Sequence, residues 1–190
     1  MTPHAYKAGG ANSVIAYATA HSSLGKVLVA ATGKGICAVL LGDDGKVLVA
    51  DLKARFPKAA IAEGDKSFQG TMQTVIENVE TPKKRFELPL DVQGTAFQHK
   101  VWKALCQIPP GETLSYAEIA KKIGQPGSVR AVATACAANP VAILIPCHRV
   151  VRSDGALSGY RWGIERKRSL LDKETAAHRK SAVKKSRVKS

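Results

Sequence analysis

Val141-Ala142-Ile143-Leu144-Ile145-Pro146-Cys147-His148-Arg149 is the stretch on which the reading of this chain turns. The five apolar residues read as a fully buried strand or extended core segment. Pro146 fixes φ and lacks a backbone donor, so any regular ladder ends there. A thiol and an imidazole then follow side by side, delivered by a rigid buried element rather than a loop. The plain alternative is that Cys147 is one more buried, inert cysteine.

Upstream of this stretch, two capping boxes mark helix starts. Thr95-Ala96-Phe97-Gln98 opens a helix with Phe97, Val101, Trp102, Leu105 and Ile108 at helical spacing, ended by Pro109-Pro110-Gly111. Ser115-Tyr116-Ala117-Glu118 opens a second, from Tyr116 to Ile123. Gly124-Gln125-Pro126-Gly127 turns the chain, and a third helix starts at Ser128 and stops by Asn139, before Pro140. Two short helices across a tight Gly-containing turn are helix-turn-helix architecture. The third helix, Arg130 to Asn139, is almost all small residues; it lacks the long polar side chains that read major-groove base edges and suits close approach to a minor groove. Alanines serve a helix buried among its neighbours equally well, with Arg130 then a solvated end residue.

The first half reads as an α/β unit. Strands are expected at Val14–Ala18, Lys26–Ala30 and Gly35–Leu41, with turns at Ser22–Gly25 and Thr32–Gly35, and helices at Val47–Phe56 and Phe68–Val79. Pro82-Lys83-Lys84-Arg85 is a basic connection, and Leu88-Pro89-Leu90 ends the unit. The glycines of this half read as turns, and no catalytic constellation is visible in it.

The 190 residues are 45% hydrophobic and 23% charged, enough for one compact unit or two small domains. The four cysteines, Cys37, Cys106, Cys136 and Cys147, show no zinc spacing and no disulfide framework, which suits a cytosolic protein. No opening segment resembles a secretory signal and no apolar run reaches membrane-span length. The net charge of +14 favours a polyanionic partner, chiefly nucleic acid. Part of it lies in a tail without acidic residues after Glu174 (Arg179, Lys180, Lys184, Lys185, Arg187, Lys189), expected to be disordered.

Taken together, Pro146-Cys147-His148-Arg149-Val150, Arg130 in Val129-Arg130-Ala131-Val132, Asn139-Pro140, Ser115-Tyr116, Leu157-Ser158-Gly159-Tyr160-Arg161-Trp162-Gly163, and Leu170-Leu171 before Glu174 resemble the O6-alkylguanine-DNA alkyltransferases. The resemblance covers about residues 14–175 and is nearest to the C-terminal half of the bacterial adaptive-response members; their N-terminal zinc-thiolate module has no counterpart here. It implies an α/β, RNase H-like N-terminal domain at 14–91 and a mostly helical, winged helix-turn-helix domain at 94–175. A disordered N-terminus (1–13) and a basic tail (176–190) flank them.

The function implied is DNA repair by direct reversal. The alkyl group of O6-alkylguanine, and of O4-alkylthymine, passes irreversibly to Cys147 in a single turnover, after the damaged base is flipped out of double-stranded DNA. His148 is implied as the base acting through water, Glu174 as its orienter on a helix anchored by Ile164, Leu170 and Leu171, and Tyr116 as donor to the leaving base. Arg130 is implied to fill the vacated space, with Ala131, Ser115 and Tyr116 at the DNA surface. Val150, Tyr160, Arg161, Trp162 and Asn139 are implied around the pocket, where the indole of Trp162 is expected to narrow it. No cofactor, metal or membrane is expected, and a monomer is. The expected location is a bacterial cytoplasm, associated with the nucleoid, or a nucleus if Lys184-Lys185-Ser186-Arg187 acts as a nuclear signal. Three other readings stay open: an alkyltransferase-like protein that binds the lesion without reacting, a winged-helix regulator, and a cysteine protease. Against the last, protease Cys and His are usually distant in sequence.

Overall fold

A computed structural model describes residues 2, 6, 8–82 and 88–187, with side chains described as far as Arg179. Three strands, β1 (Val14–Ser22), β2 (Gly25–Thr32) and β3 (Gly35–Gly42), form an antiparallel meander. A fourth, β4 (Ala60–Glu63), adds parallel to β1, giving the order β3-β2-β1-β4. The crossover from β3 to β4 carries α1 (Gly45–Arg55), started by the Asp44 side chain accepting from Lys46 N. The expected helix at 47–56 thus begins two residues earlier, at its acidic cap. Helix α2 (Phe68–Glu80) follows.

Side-chain alternation decides what covers each face of the sheet. Leu28, Ala30, Cys37, Ala38 and Leu40 meet Leu48, Leu52 and Phe56 around α1. Val27, Val29, Ile36, Val39 and Leu41 point the other way, into a larger core with Val75 and Val79 of α2 and with the second half of the chain. A register shift between Ala30 and Ala31, opposite Cys37, explains why Cys37 and Ala38 share one face.

The second half contains α3 (Ala96–Leu105), α4 (Tyr116–Lys122), α5 (Val129–Ala137) and α6 (Ile164–Arg187), with a parallel two-stranded ribbon of β5 (Leu114–Ser115) and β6 (Val150–Val151). Both capping boxes are formed. The two halves join through the β3 edge. Ile36 N donates to Pro89 O and Asp91 N to Ile36 O, while Val39 N donates to Pro140 O and Ala142 N to Val39 O. An edge strand is thereby covered by the segment that leads to Cys147.

Three expectations are corrected. Val141–Ile145 is buried as expected, but only Val141 bridges a strand, and the rest is a run of turns. Residues expected to be a disordered N-terminus pack down: Tyr6 meets Phe56 edge-on at 5.8 Å, Gly10 is buried, and Lys58 N donates to Gly9 O. Helix α6 is continuous to Arg187, so 176–187 is helical rather than disordered, as Ala, Lys and Arg are good helix formers. Of the basic connection at 82–85, residues 83–85 lie outside the described residues, as do 188–190 of the tail. Among the described residues no helix is long and apolar enough to cross a membrane.

Candidate active site

The turns before Cys147 are tight. Leu144 N donates to Ala142 O (2.7 Å) around Ile143, whose φ of 71° is a left-handed conformation that a β-branched residue rarely adopts. Cys147 N then donates to Ile145 O (2.8 Å) around Pro146. Asn139, fully buried, holds this path from inside. Its Nδ2 donates to Ile145 O at 2.8 Å and to Cys147 Sγ at 3.3 Å, while its Oδ1 accepts from Val141 N. Cys147, His148 and Arg149 form a single 3-10 turn, and all three are buried.

His148 Nε2 lies 2.9 Å from Glu174 Oε1, with both side chains 1% exposed. Arg149 grips the same carboxylate: Nε lies 3.1 and 3.0 Å from its two oxygens and Nη2 lies 2.8 Å from Oε1. Its Nη1 donates to Ile108 O, and Gly111 N donates to Glu174 Oε2 at 3.2 Å. Gly111 has φ +85°, and a Cβ there would press on His178 of α6 at 3.1 Å, so glycine suits this contact between loop and helix.

Burial alone would raise the Glu174 carboxyl, but the hydrogen bonds and charges of His148 and Arg149 outweigh it and bring the group down to about 2. Burial lowers His148, so the imidazole is neutral. A carboxylate only accepts, so Nε2 carries the ring's proton and Nδ1 is the bare nitrogen. Nδ1 is buried without a hydrogen-bond partner, which leaves a base poised inside the site. Burial pushes the Cys147 thiol up to about 11, against the Asn139 hydrogen bond and the Lys167 charge. The sulfur therefore rests as a thiol and needs a base in order to react.

Lys167 is fully buried on α6, where Nζ donates to Val150 O at 2.6 Å and to Ser158 O at 2.9 Å. Burial lowers its ammonium, an effect that negative charge on the Cys147 or Cys136 sulfur would oppose. Ser158 Oγ donates to Tyr116 Oη at 3.2 Å, tying the loop after β6 to the start of α4. Because that oxygen is already an acceptor, the phenolic hydrogen is available to a ligand, and burial keeps the phenol protonated by raising it. Tyr160 lies against Trp162 edge-on, 5.1 Å between ring centres. Its hydroxyl is buried and unpartnered.

The structure thus gathers Cys147, His148, Glu174, Asn139, Tyr160 and Val150 at one place, with Tyr116 at its rim. Arg130 and Ala131 stand exposed at the start of α5. Two expectations shift. Ser115 is buried, and both its amide and hydroxyl bond to Glu118, so its side chain serves the helix start rather than an outer surface. Ile164 is 36% exposed, so α6 is anchored by Leu170 and not by Ile164. The Arg161 guanidinium lies 3.6 Å from the Asp51 carboxylate of α1. Sequence reading assigned no role to Arg149 or Lys167. The available signal was the seven-residue spacing of Lys167 and Glu174, which puts both on one side of α6.

Two family profiles match: "6-O-methylguanine DNA methyltransferase, ribonuclease-like domain" over residues 15–92 and "6-O-methylguanine DNA methyltransferase, DNA binding domain" over residues 96–176. The chain is 52% identical over 174 residues to the Escherichia coli bifunctional transcriptional activator/DNA repair enzyme Ada, covering 92% of this chain and 49% of that protein. It is 42% identical over 152 residues to the inducible methylated-DNA–protein-cysteine methyltransferase of Bacillus subtilis, covering 78% of this chain and 84% of that one. The crystal structure of Mycobacterium tuberculosis O6-methylguanine methyltransferase superposes with a TM-score of 0.71 at 36% identity, over 86% of this chain and 94% of that one; a DNA complex of the mycobacterial protein matches equally well. The chain spans about half the length of the first curated relatives it matches.

Proposed function

Since this chain belongs to the 6-O-methylguanine DNA methyltransferase family, we propose that it repairs O6-alkylguanine in double-stranded DNA by moving the alkyl group to its own Cys147. The observation that carries this reading is a buried thiol beside a neutral imidazole whose Nδ1 is bare and whose Nε2 is fixed by an ionised carboxylate.

The reaction is an in-line displacement. Cys147 Sγ forms a bond to the alkyl carbon as the bond from that carbon to O6 breaks. The thiol proton leaves through water to His148 Nδ1, and Glu174 stabilises the imidazolium that forms. Asn139 Nδ2 and the Lys167 ammonium favour the developing thiolate. The departing guanine takes a proton from Tyr116, and the phenolate recovers one from solvent as the His148 imidazolium gives up the thiol's proton, so no net proton is gained or lost. A thioether is the product, and nothing in the site returns it to a thiol, so each molecule acts once.

A guanine stacked in a duplex cannot reach a buried sulfur, so the base must be flipped out. Arg130, exposed at the start of α5 with Ala131 beside it, is placed to enter the vacated space while the small residues of α5 let the backbone approach the groove. The Val150 carbonyl, which accepts from Lys167, keeps a second lone pair for the guanine edge, and Tyr160 walls the pocket with Trp162 behind it. O4-alkylthymine presents a similar carbon and is a second substrate. The net charge of +14 suits a DNA partner. A monomeric enzyme acting on DNA in a bacterial cytoplasm, without cofactor, is the setting this implies. The test is stoichiometry: lesion removed from a duplex should equal protein added, and Cys147→Ser should remove none. Repeated turnover, or activity in Cys147→Ser, would refute the mechanism.

A further inference from the structure

Helix α6 carries two stripes of charge with the same seven-residue spacing. Lys167 and Glu174 face the reactive turn. Their neighbours Arg166 and Lys173 face the N-terminal half, and both close on the β1–β2 turn. Arg166 Nε donates to Leu24 O at 2.8 Å, Nη1 to Trp162 O at 2.9 Å and Nη2 to Asp43 Oδ1 at 2.5 Å. Lys173 Nζ meets Glu80 Oε2 at 2.6 Å and also Ser23 Oγ, while Glu80 Oε1 accepts from Ser23 N at 2.8 Å. Gly25 makes room for the first of these contacts. Its φ is +96°, and a Cβ there would lie 2.7 Å from Gly42 O and 3.3 Å from both the Arg166 guanidinium and Asp43.

Seven residues are close to two turns of an α-helix, so the two grips share one face of α6, and each lies a single residue, about 1.5 Å of rise, from a site residue. Arg166 adjoins Lys167, which holds Val150 O and Ser158 O. Lys173 adjoins Glu174, which orients His148. A helix held at two heights by the N-terminal half is fixed in both rotation and axial position, and a displacement of about 1 Å at reacting groups can cost about a hundredfold in rate.

We propose that the N-terminal half is a positioning device for the reaction: through Asp43–Arg166 and Glu80–Lys173 it sets the register of α6, and with it the placement of Glu174 and Lys167 at the site. This rests on the alkyl-transfer reading above. Arg166, Lys173, Asp43 and Glu80 are positioning residues, since none touches the sulfur or the base. Asp43 and Glu80 belong to the half that carries no reactive group, which makes the coupling testable from outside the site.

The experiment measures single-turnover methyl transfer from an O6-methylguanine duplex, together with duplex affinity and melting temperature. The proteins are the wild type, Asp43→Asn with Glu80→Gln, Arg166→Met with Lys173→Met, and all four substitutions combined. Wild-type transfer tests the underlying reading by itself. The exposed pair Asp43→Asn/Glu80→Gln should fold and should slow transfer at saturating DNA by about tenfold, with affinity unchanged within about twofold. The fourfold variant should be no slower than the Arg166/Lys173 pair, because that pair already removes both contacts that Asp43 and Glu80 make with α6. Arg166→Lys with Lys173→Arg should recover most of the rate. Wild-type transfer rates in the Asp43/Glu80 variant would overturn the proposal. So would additive losses in the fourfold variant, or a loss of rate that follows duplex affinity or melting temperature.

Discussion

The 2.9 Å contact between His148 Nε2 and Glu174 Oε1 settles which nitrogen of the imidazole is bare. Because the carboxylate is held down at about 2 by His148 and Arg149 despite burial, it stays an acceptor throughout the ordinary pH range, and Nδ1 is left to act as the base. Glu174→Gln should therefore slow methyl transfer by at least about a hundredfold, since an amide, which can donate as well as accept, does not enforce this tautomer and carries no charge to stabilise an imidazolium. It should also lower stability by about 3 kcal/mol, because the buried Arg149 charge loses its counter-ion. Single-turnover kinetics and urea unfolding measure the two effects separately.

The same groups fix the sign of the pH dependence. Glu174 lies below its unfolded value, so its contribution is complete above about 4.5 and is lost as pH falls toward about 2. His148 is lowered by burial, so the unfolded chain takes up the imidazole proton first and stability begins to fall below about 6.5. Melting temperature should decline monotonically from neutral pH to pH 3. A flat profile would contradict the buried cluster.

Tyr116→Phe removes a hydroxyl at the rim whose oxygen accepts from Ser158 and whose hydrogen is left for a ligand. Methyl transfer at saturating DNA should fall by about a hundredfold, with duplex affinity within about twofold of wild type. Equal losses in rate and affinity would instead assign Tyr116 to DNA binding.

Trp162 backs Tyr160 edge-on and is 7% exposed. A pocket wall stiffened by a buried indole should admit a methyl lesion and resist a benzyl one. Free O6-benzylguanine should inactivate the wild type poorly, and Trp162→Gly should raise its reactivity by about tenfold or more, at a stability cost of about 3 kcal/mol. Potent inactivation of the wild type at low micromolar concentration would contradict this.

What could be read from the sequence depended on local chemistry. Thr95/Gln98 and Ser115/Glu118 announced two helix starts because a capping box is satisfied within four residues. The continuous apolar runs of β2 and β3 between turn residues likewise announced the sheet, and the Cys147-His148-Glu174 set followed from family resemblance. Strand β4 was missed because Ala60-Ile61-Ala62-Glu63 is short and only half-buried at best, its pairing set by β1 far away in the chain. Val141–Ile145 was read as strand or extended core because composition reports burial, whereas the left-handed Ile143 is imposed by the packing that delivers Cys147. The burial of Lys167 and Arg149 was not legible either. Whether a cation is solvated or enclosed depends on partners such as Val150 O and Glu174, which only the tertiary fold assembles.

Intact-protein mass spectrometry after mixing with an O6-methylguanine duplex reads alkyl transfer to Cys147 without an intermediary. The expected result is the gain of one methyl group per protein molecule, located on the peptide containing Cys147 and absent from Cys37, Cys106 and Cys136. A protein that binds the lesion but gains no mass, or a methyl group found on another cysteine, would contradict it.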